Sequence, residues 1–198
     1  MFRDQRITPE QQIAFSRRFG SLQIHVLRQF LLSNHPEIFS ISNIIENGQP
    51  IGLGDAGKFW HSDLSYKELP SLGSMLLAQE LPEEGGDTLF ANMYAAYEAL
   101  SDRMKAYLDG LTALHDGEQT YRGLYANYGV ADKREYPRAE HPVVRTHPVT
   151  GKKSLYVNRG FTRFIVGIPR DESDAMLAYL YQHAENPLFQ CRFRWTEN

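Results

Sequence analysis

The 198-residue sequence has one cysteine, Cys191, so no disulfide can form within the chain. Such sparing use of cysteine is typical of a reducing compartment, and we therefore expect a cytoplasmic protein. No apolar run approaches the ~20 residues that a membrane-spanning helix needs, and the residues after Met1 lack the pattern of a signal peptide. These absences exclude a disulfide scaffold and argue against a membrane partner.

An excess of charge of either sign is also missing. Lysine and arginine number 21 and aspartate and glutamate 24, which gives a net charge of -3. A surface for nucleic acid would need a basic excess, so no nucleic-acid partner is expected. The length and the 42% content of hydrophobic residues fit one globular domain, which we place at residues 1–198.

Short apolar stretches and a few helical segments alternate along the chain. Thr8 followed by Pro9 predicts the start of a helix that ends at Gly20. The periodicity also predicts helices over 93–100, 101–111 and 171–183, and strands over 38–42, 71–79, 88–90, 143–146, 154–157 and 188–195. The polar segment 117–138 is expected to be a lid or an insertion. Many short strands with helices between them predict a mainly β fold, a two-sheet jelly roll with helical insertions.

The segment Trp60-His61-Ser62-Asp63 carries a candidate metal-binding pair. Along a strand, residues two apart point to the same face, so an extended segment lets His61 and Asp63 offer a nitrogen and an oxygen to one ion. These are two of the three ligands of the 2-His-1-carboxylate site, which leaves one side of Fe(II) open. Taken alone, such a pair is a weak signal, and a polar turn is the simpler explanation.

Further segments in a fixed order strengthen the metal hypothesis. They are Phe2-Arg3-Asp4-Gln5, Ile7-Thr8-Pro9-Glu10-Gln11, Phe19-Gly20, Ala78-Gln79-Glu80-Leu81-Pro82, Gly85-Gly86-Asp87-Thr88-Leu89-Phe90, Ala95-Ala96-Tyr97-Glu98-Ala99-Leu100, His141-Pro142-Val143-Val144-Arg145-Thr146-His147-Pro148 and Leu155-Tyr156-Val157-Asn158-Arg159-Gly160-Phe161-Thr162. With the His61 segment, they span nearly the whole chain. In these segments the sequence resembles the Fe(II)/2-oxoglutarate-dependent dioxygenases related to taurine dioxygenase and 2,4-dichlorophenoxyacetate dioxygenase, the TauD/TfdA-like family.

The resemblance implies the family's double-stranded β-helix, or jelly-roll, fold and an oxygenase that hydroxylates a small organic anion, either a sulfonate or a carboxylate. Fe(II), O2 and the co-substrate 2-oxoglutarate are implied, with succinate and CO2 as co-products. His61 and Asp63 stand at the positions of metal ligands, and Thr88 at that of a hydroxyl that binds 2-oxoglutarate. His25, Leu64 and Phe161 stand at positions that contact the substrate. No catalytic residue beyond the metal ligands is expected.

Both ends of the chain depart from the family pattern. The resemblance places a strand ahead of Met1, and it places the third iron ligand, a histidine, with the anchoring arginines beyond Asn198. We therefore expect an incomplete jelly roll without the family's N-terminal strand or strands and its C-terminal segment. Unpaired sheet edges favour association, so a homo-oligomer is expected.

Three functional hypotheses remain open from the sequence. The intact residues His61, Asp63 and Thr88 favour the oxygenase, whereas the absent third ligand favours a catalytically inactive jelly-roll remnant or scaffold. A cupin-type protein that uses another metal is the third hypothesis. Arg28 and Gly57 stand where the taurine enzyme has a tyrosine and an asparagine, which argues against taurine itself as the substrate.

Overall fold

The computed structural model describes residues 1–25, 27–54, 56–118 and 137–197. The chain divides into two compact units, the first formed by residues 1–58, 75–83 and 196–198 and the second by residues 59–74 and 84–195. Helices and strands both occur, and the described strands form one three-stranded and four two-stranded sheets. Most of the segment predicted to be a lid or an insertion, residues 119–136, lies outside the described residues.

Helix α1 (Pro9–Ser16) opens the first unit. A capping box fixes its start, since the Gln11 amide donates to the Thr8 hydroxyl and the Thr8 amide donates to the Gln11 side chain. The short 3-10 turn Arg17–Phe19 follows, and the chain then reverses at Gly20, whose φ of 149° favours glycine. The helix predicted from Thr8 to Gly20 is therefore confirmed.

Two antiparallel hairpins complete the first unit: β1 (Leu31–Leu32) with β2 (His35–Phe39), and β3 (Ile45–Glu46) with β4 (Gln49–Pro50). The predicted strand over 38–42 thus begins earlier than expected. The unit has a small buried core, made by Ile13, Leu27, Phe30 and Leu53.

The core strand predicted over residues 71–79 is wrong. None of these residues lies in a strand, and the apolar side chains of Leu72 and Leu76 are 86% and 56% exposed. A short apolar run does not by itself distinguish a buried strand from an irregular segment. A segment becomes a strand only when it pairs with another strand.

The described residues of the second unit form three sheets, all antiparallel. The largest has the order β10-β6-β7, from β6 (Thr112–Asp116), β7 (Arg138–Pro142) and β10 (Thr162–Ile165). The others pair β5 (Thr88–Ala91) with β11 (Gln190–Phe193), and β8 (Val144–Thr146) with β9 (Lys153–Leu155). The predicted strands near residues 88, 143, 154 and 188 are confirmed; the first is one residue longer than predicted and the other three are shorter.

Three helices pack against these sheets: α2 (Met93–Glu98), α3 (Asp102–Leu108) and α4 (Arg170–Ala184). The side chains of Asn92 and Ser101 cap α2 and α3 by accepting hydrogen bonds from amides of the first turn. Together they bury one apolar cluster, which includes Ala96, Leu100, Leu108, Val143, Leu155, Ile165, Leu177 and Leu180. Within the described ranges, no helix is both long and apolar enough to pass through a membrane.

Candidate functional site

The candidate metal-binding pair does not lie on a strand, contrary to the sequence prediction. Residues 60–62 have no regular secondary structure, and the chain turns over residues 63–66. In this turn Leu64 has a φ of 54°, and the Ser65 amide lies 3.3 Å from the Ser62 carbonyl oxygen, to which it donates. The turn, rather than the alternation of a strand, determines where the carboxylate of its first residue, Asp63, points.

The turn nevertheless brings the two side chains together. The Nε2 atom of His61 lies 3.3 Å from Oδ1 of Asp63, and the exposed fractions of these side chains are 29% and 51%. The other ring nitrogen of His61, Nδ1, is 2.8 Å from the Phe59 carbonyl oxygen. Since a carbonyl only accepts, Nδ1 carries a hydrogen, and Nε2 of the neutral ring has its lone pair available.

This hydrogen bonding is typical of a histidine that ligates a metal through one nitrogen and donates to a carbonyl through the other. Two ligands at right angles around one ion, with bonds of ~2.1 Å, lie about 3.0 Å apart. The observed separation of His61 and Asp63 is close to that value. By this geometry the pair fits a divalent ion. A hydrogen bond from the protonated ring to Asp63 also raises the pKa of His61, although burial opposes the shift, so a proton competes with the ion for Nε2.

Ser74 orients the carboxylate of this pair. Its hydroxyl donates to Oδ2 of Asp63 at 2.5 Å, while Oδ1 of the same carboxylate faces His61. Sequence reasoning missed this residue, because a single serine 11 positions after the aspartate carries no recognisable signal. Such partners of a ligand contribute to metal affinity by fixing the direction of its lone pairs.

A third metal ligand is not found among the residues that the structure describes. In those ranges no three or more His, Cys, Asp and Glu side chains come together as a metal site would require. Two histidines of the second unit have other partners: Nε2 of His141 is 2.9 Å from the Lys67 carbonyl oxygen, and Nε2 of His183 is 2.7 Å from that of Ala96. These contacts indicate packing roles for both.

Beneath the candidate pair lies a set of buried polar residues that we call the buried frame: Ser65, His115, Asn158 and Thr162. The Nδ1 atom of His115 is 3.1 Å from the Ser65 hydroxyl, to which Asn158 also donates at 3.2 Å. The Thr162 hydroxyl accepts from the Asn158 amide at 2.9 Å. Because Ser65 follows Asp63 by two residues, the buried frame anchors the turn that carries the carboxylate.

His115 is the ionisable member of the buried frame. Burial, and secondarily the neighbouring His141, lowers its pKa from 6.5 to about 4. It is uncharged at neutral pH, and it lies in β6 with no exposed surface. Its partners Ser65 and Thr162 are about 50 residues away along the chain.

An aromatic cluster holds the imidazole of His61 from the side. The ring centroid of Phe161 is 6.2 Å from that of His61 and 4.8 Å from that of Tyr66. Only 4% of Phe161 is exposed. A Cβ added at Gly160 would lie 2.5 Å from the Phe59 ring and 3.2 Å from Cβ of His61, so this close approach requires glycine.

The other predicted site residues lie on separate elements. Thr88 is the first residue of β5, is half-buried, and accepts a hydrogen bond from Nε1 of Trp195 at 2.9 Å. Leu64 is half-buried in the turn after Asp63. His25 belongs to the first unit, where its Nδ1 accepts from the Leu27 amide at 3.2 Å and its ring lies 4.3 Å from that of Phe39. The roles of all these residues remain predictions.

Comparison with known proteins identifies the family of this chain. The chain belongs to the taurine catabolism dioxygenase TauD, TfdA family, whose model matches residues 1–198. The alpha-ketoglutarate-dependent 2,4-dichlorophenoxyacetate dioxygenase of Cupriavidus pinatubonensis is 36% identical over 209 residues, covering 99% of this chain and 72% of that protein. The alpha-ketoglutarate-dependent sulfonate dioxygenase of Saccharomyces cerevisiae is 34% identical over 203 residues, covering 98% and 48%.

A solved structure agrees with this assignment. The crystal structure of a taurine dioxygenase from Burkholderia xenovorans matches with a TM-score of 0.77 and 34% identity, covering 99% of this chain and 62% of that one. The chain spans 36 to 72% of the length of the two curated relatives and of a further one from Schizosaccharomyces pombe. The predicted family is therefore confirmed, and these two curated relatives are dioxygenases that depend on alpha-ketoglutarate, which is 2-oxoglutarate.

Proposed function

We propose that this protein is an Fe(II)- and 2-oxoglutarate-dependent oxygenase that hydroxylates a small organic anion. The observation that carries the proposal is the 3.3 Å approach of His61 Nε2 to Asp63 Oδ1, with the other ring nitrogen bonded to a carbonyl. Iron with 2-oxoglutarate and O2 would supply the oxidising chemistry, with succinate and CO2 as co-products. The double-stranded β-helix fold is part of the same proposal, and the solved relative supports it.

In this proposal each residue has a limited task. His61 and Asp63 hold the metal, and Ser74 keeps the second carboxylate oxygen of Asp63 occupied so that the first faces the ion. Thr88 donates its hydroxyl hydrogen to a carboxylate of 2-oxoglutarate. The half-buried Leu64 and the ring of Phe161 form apolar surface beside the ligands, which excludes water.

The proposed substrate is a sulfonate or a carboxylate. The Saccharomyces cerevisiae relative is a sulfonate dioxygenase, and the Cupriavidus pinatubonensis relative acts on a phenoxyacetate. Both substrate classes combine an anionic group with a small organic body. His25, as the resemblance suggests, would contact the anionic group, and the contact of its ring with the tilted ring of Phe39 restricts its orientation.

The proposal is tested by measuring substrate turnover by the purified full-length protein. Purified protein is incubated with Fe(II), 2-oxoglutarate and O2, together with taurine, longer sulfonates or phenoxyacetates, and succinate and hydroxylated product are measured by mass spectrometry. We expect succinate formation that depends on one of these anions and disappears in His61→Ala. His35→Ala, which alters a histidine of the first unit paired with Glu10, should leave turnover unchanged.

A second candidate function, a non-catalytic scaffold, is favoured by one observation. Among the described residues, no set of three ligating side chains comes together. A folded protein that forms no succinate with any of these anions, and that binds no divalent ion, would establish this alternative and reject the oxygenase. Turnover without 2-oxoglutarate would instead favour the cupin-type hypothesis.

A further inference from the structure

Trp195 lies two residues beyond β11 and reaches back to the start of the neighbouring strand. Its indole Nε1 donates to the hydroxyl of Thr88 at 2.9 Å, although the two residues are 107 positions apart in the chain. Both side chains are half-buried. The contact joins the end of one strand of this two-stranded sheet to the beginning of the other, since Phe193 and Thr88 are paired in its register.

The chemistry of the two groups determines the direction of this hydrogen bond. An indole N–H is only a donor, so the Thr88 oxygen must accept. A threonine hydroxyl has one hydrogen, which is then left to donate elsewhere. Of the residues that the structure describes, none accepts that hydrogen. The indole therefore leaves the hydroxyl hydrogen of Thr88 to donate to a group outside the described residues.

Two further features hold this arrangement in place. The Phe193 ring meets the Trp195 ring edge-on, with centroids 4.7 Å apart and an interplanar angle of 89°. Threonine is branched at Cβ, so its side chain has few rotamers, and the bond from the indole selects among them. The direction of the hydroxyl is consequently set by the sheet and by Trp195 together, before any ligand binds.

We propose that Trp195 is a positioning residue for 2-oxoglutarate: it orients the Thr88 hydroxyl so that its hydrogen points to a co-substrate carboxylate. The proposal rests on the proposed function, in which Thr88 binds that carboxylate. Trp195 acts only through Thr88 and does not contact the metal. Its loss should weaken 2-oxoglutarate binding and leave the affinity for the divalent ion unchanged.

The test is a double-mutant cycle on 2-oxoglutarate affinity. Protein loaded with Fe(II) is titrated anaerobically with 2-oxoglutarate, and the visible charge-transfer absorption of the complex is followed. Thr88→Val, which removes the hydroxyl, should weaken binding about 10-fold, because a hydrogen bond to a charged group is lost. Trp195→Phe, which keeps an aromatic ring and removes the N–H, should weaken it about 5-fold. The double variant should bind no more weakly than Thr88→Val alone.

The matched control is Phe193→Leu, which removes the edge-on ring and keeps the indole N–H. It should bind 2-oxoglutarate more tightly than Trp195→Phe does. Mn(II) affinity, measured separately, should be equal in all these proteins. If Trp195 had only a structural role, the double variant would bind 2-oxoglutarate more weakly than Thr88→Val does. That result would overturn the assignment.

A second measurement needs no substitution of Trp195. The protein has two tryptophans, so two indole N–H signals are expected in a nitrogen-15 spectrum, and Trp60→Phe assigns them. With Zn(II) as a diamagnetic ion, 2-oxoglutarate should shift the Trp195 signal in the wild type and not in Thr88→Val. An unmoved signal in a protein that binds 2-oxoglutarate overturns this inference alone. A protein that binds Mn(II) but never 2-oxoglutarate overturns the proposed function as well.

Discussion

The buried frame and the exposed pair His61 and Asp63 differ in burial and in the number of hydrogen bonds that fix their side chains. In the frame, His115 and Ser65 have no exposed surface and share hydrogen bonds with Asn158 and Thr162. The side chain of Asp63, in contrast, is half exposed. Stability should therefore depend on the frame, while metal affinity should depend on the few contacts of the pair. Substitutions in the two regions should have separable effects.

The largest expected effect is on the pH dependence of stability, through His115. Its pKa is about 4 in the folded protein against 6.5 in the unfolded chain, so only the unfolded chain takes up this proton between those values. The contribution of the uncharged His115 to the free energy of unfolding is fully present above pH 6.5 and is lost as the pH falls from 6.5 to 4. It amounts to about 3 kcal/mol.

Urea unfolding at pH 7 and at pH 4 measures this effect. His115→Gln keeps a polar side chain without a titrating group, so its free energy of unfolding should fall by about 3 kcal/mol less than that of the wild type over this interval. An equal fall in the two proteins would show that the frame does not depend on an uncharged histidine.

Gly160 connects the two regions, and its substitution should affect both. In Gly160→Ala the new methyl group meets the Phe59 ring and Cβ of His61, and we expect a loss of about 2 kcal/mol in the free energy of unfolding. Mn(II) affinity should fall as well, because the imidazole is displaced. Gly73→Ala is the control, since nothing lies within 4 Å of the added Cβ. Similar effects of the two substitutions would contradict this account.

Ser74→Ala should give the smallest effect and confine it to the exposed pair. Losing the donor to Asp63 Oδ2 should weaken Mn(II) binding about 10-fold, the usual scale for a residue that orients a ligand. Urea unfolding should be almost unchanged, and Ser71→Ala serves as the control for both measurements. A large loss of stability without a change in Mn(II) affinity would assign Ser74 to the frame.

Local signals in the sequence predicted the local structure well. The capping pattern at Thr8 and Pro9 located α1, since caps depend on residues three positions apart. The short strand predicted over residues 88–90 is present as β5. The apolar run at 71–79 misled, because its composition matched a buried strand while its side chains are largely exposed.

The candidate site was predictable only in part. The spacing of His61 and Asp63 and the family resemblance indicated the pair, although not the turn that brings it together. Ser74 and the interior position of His115 gave no signal, because each depends on a partner 11 to 50 residues away. The contact between Trp195 and Thr88 spans 107 positions and needs the paired strands to exist first.

Titration with Mn(II), followed by the electron paramagnetic resonance signal of the free ion, tests most directly whether His61 and Asp63 hold one divalent ion. The wild type should bind one equivalent, and His61→Ala and Asp63→Ala should each bind it at least about 100-fold more weakly, since the loss of a ligand exceeds the effect of its partners. An affinity in His61→Ala equal to that of the wild type would contradict the assignment of this pair as the metal site.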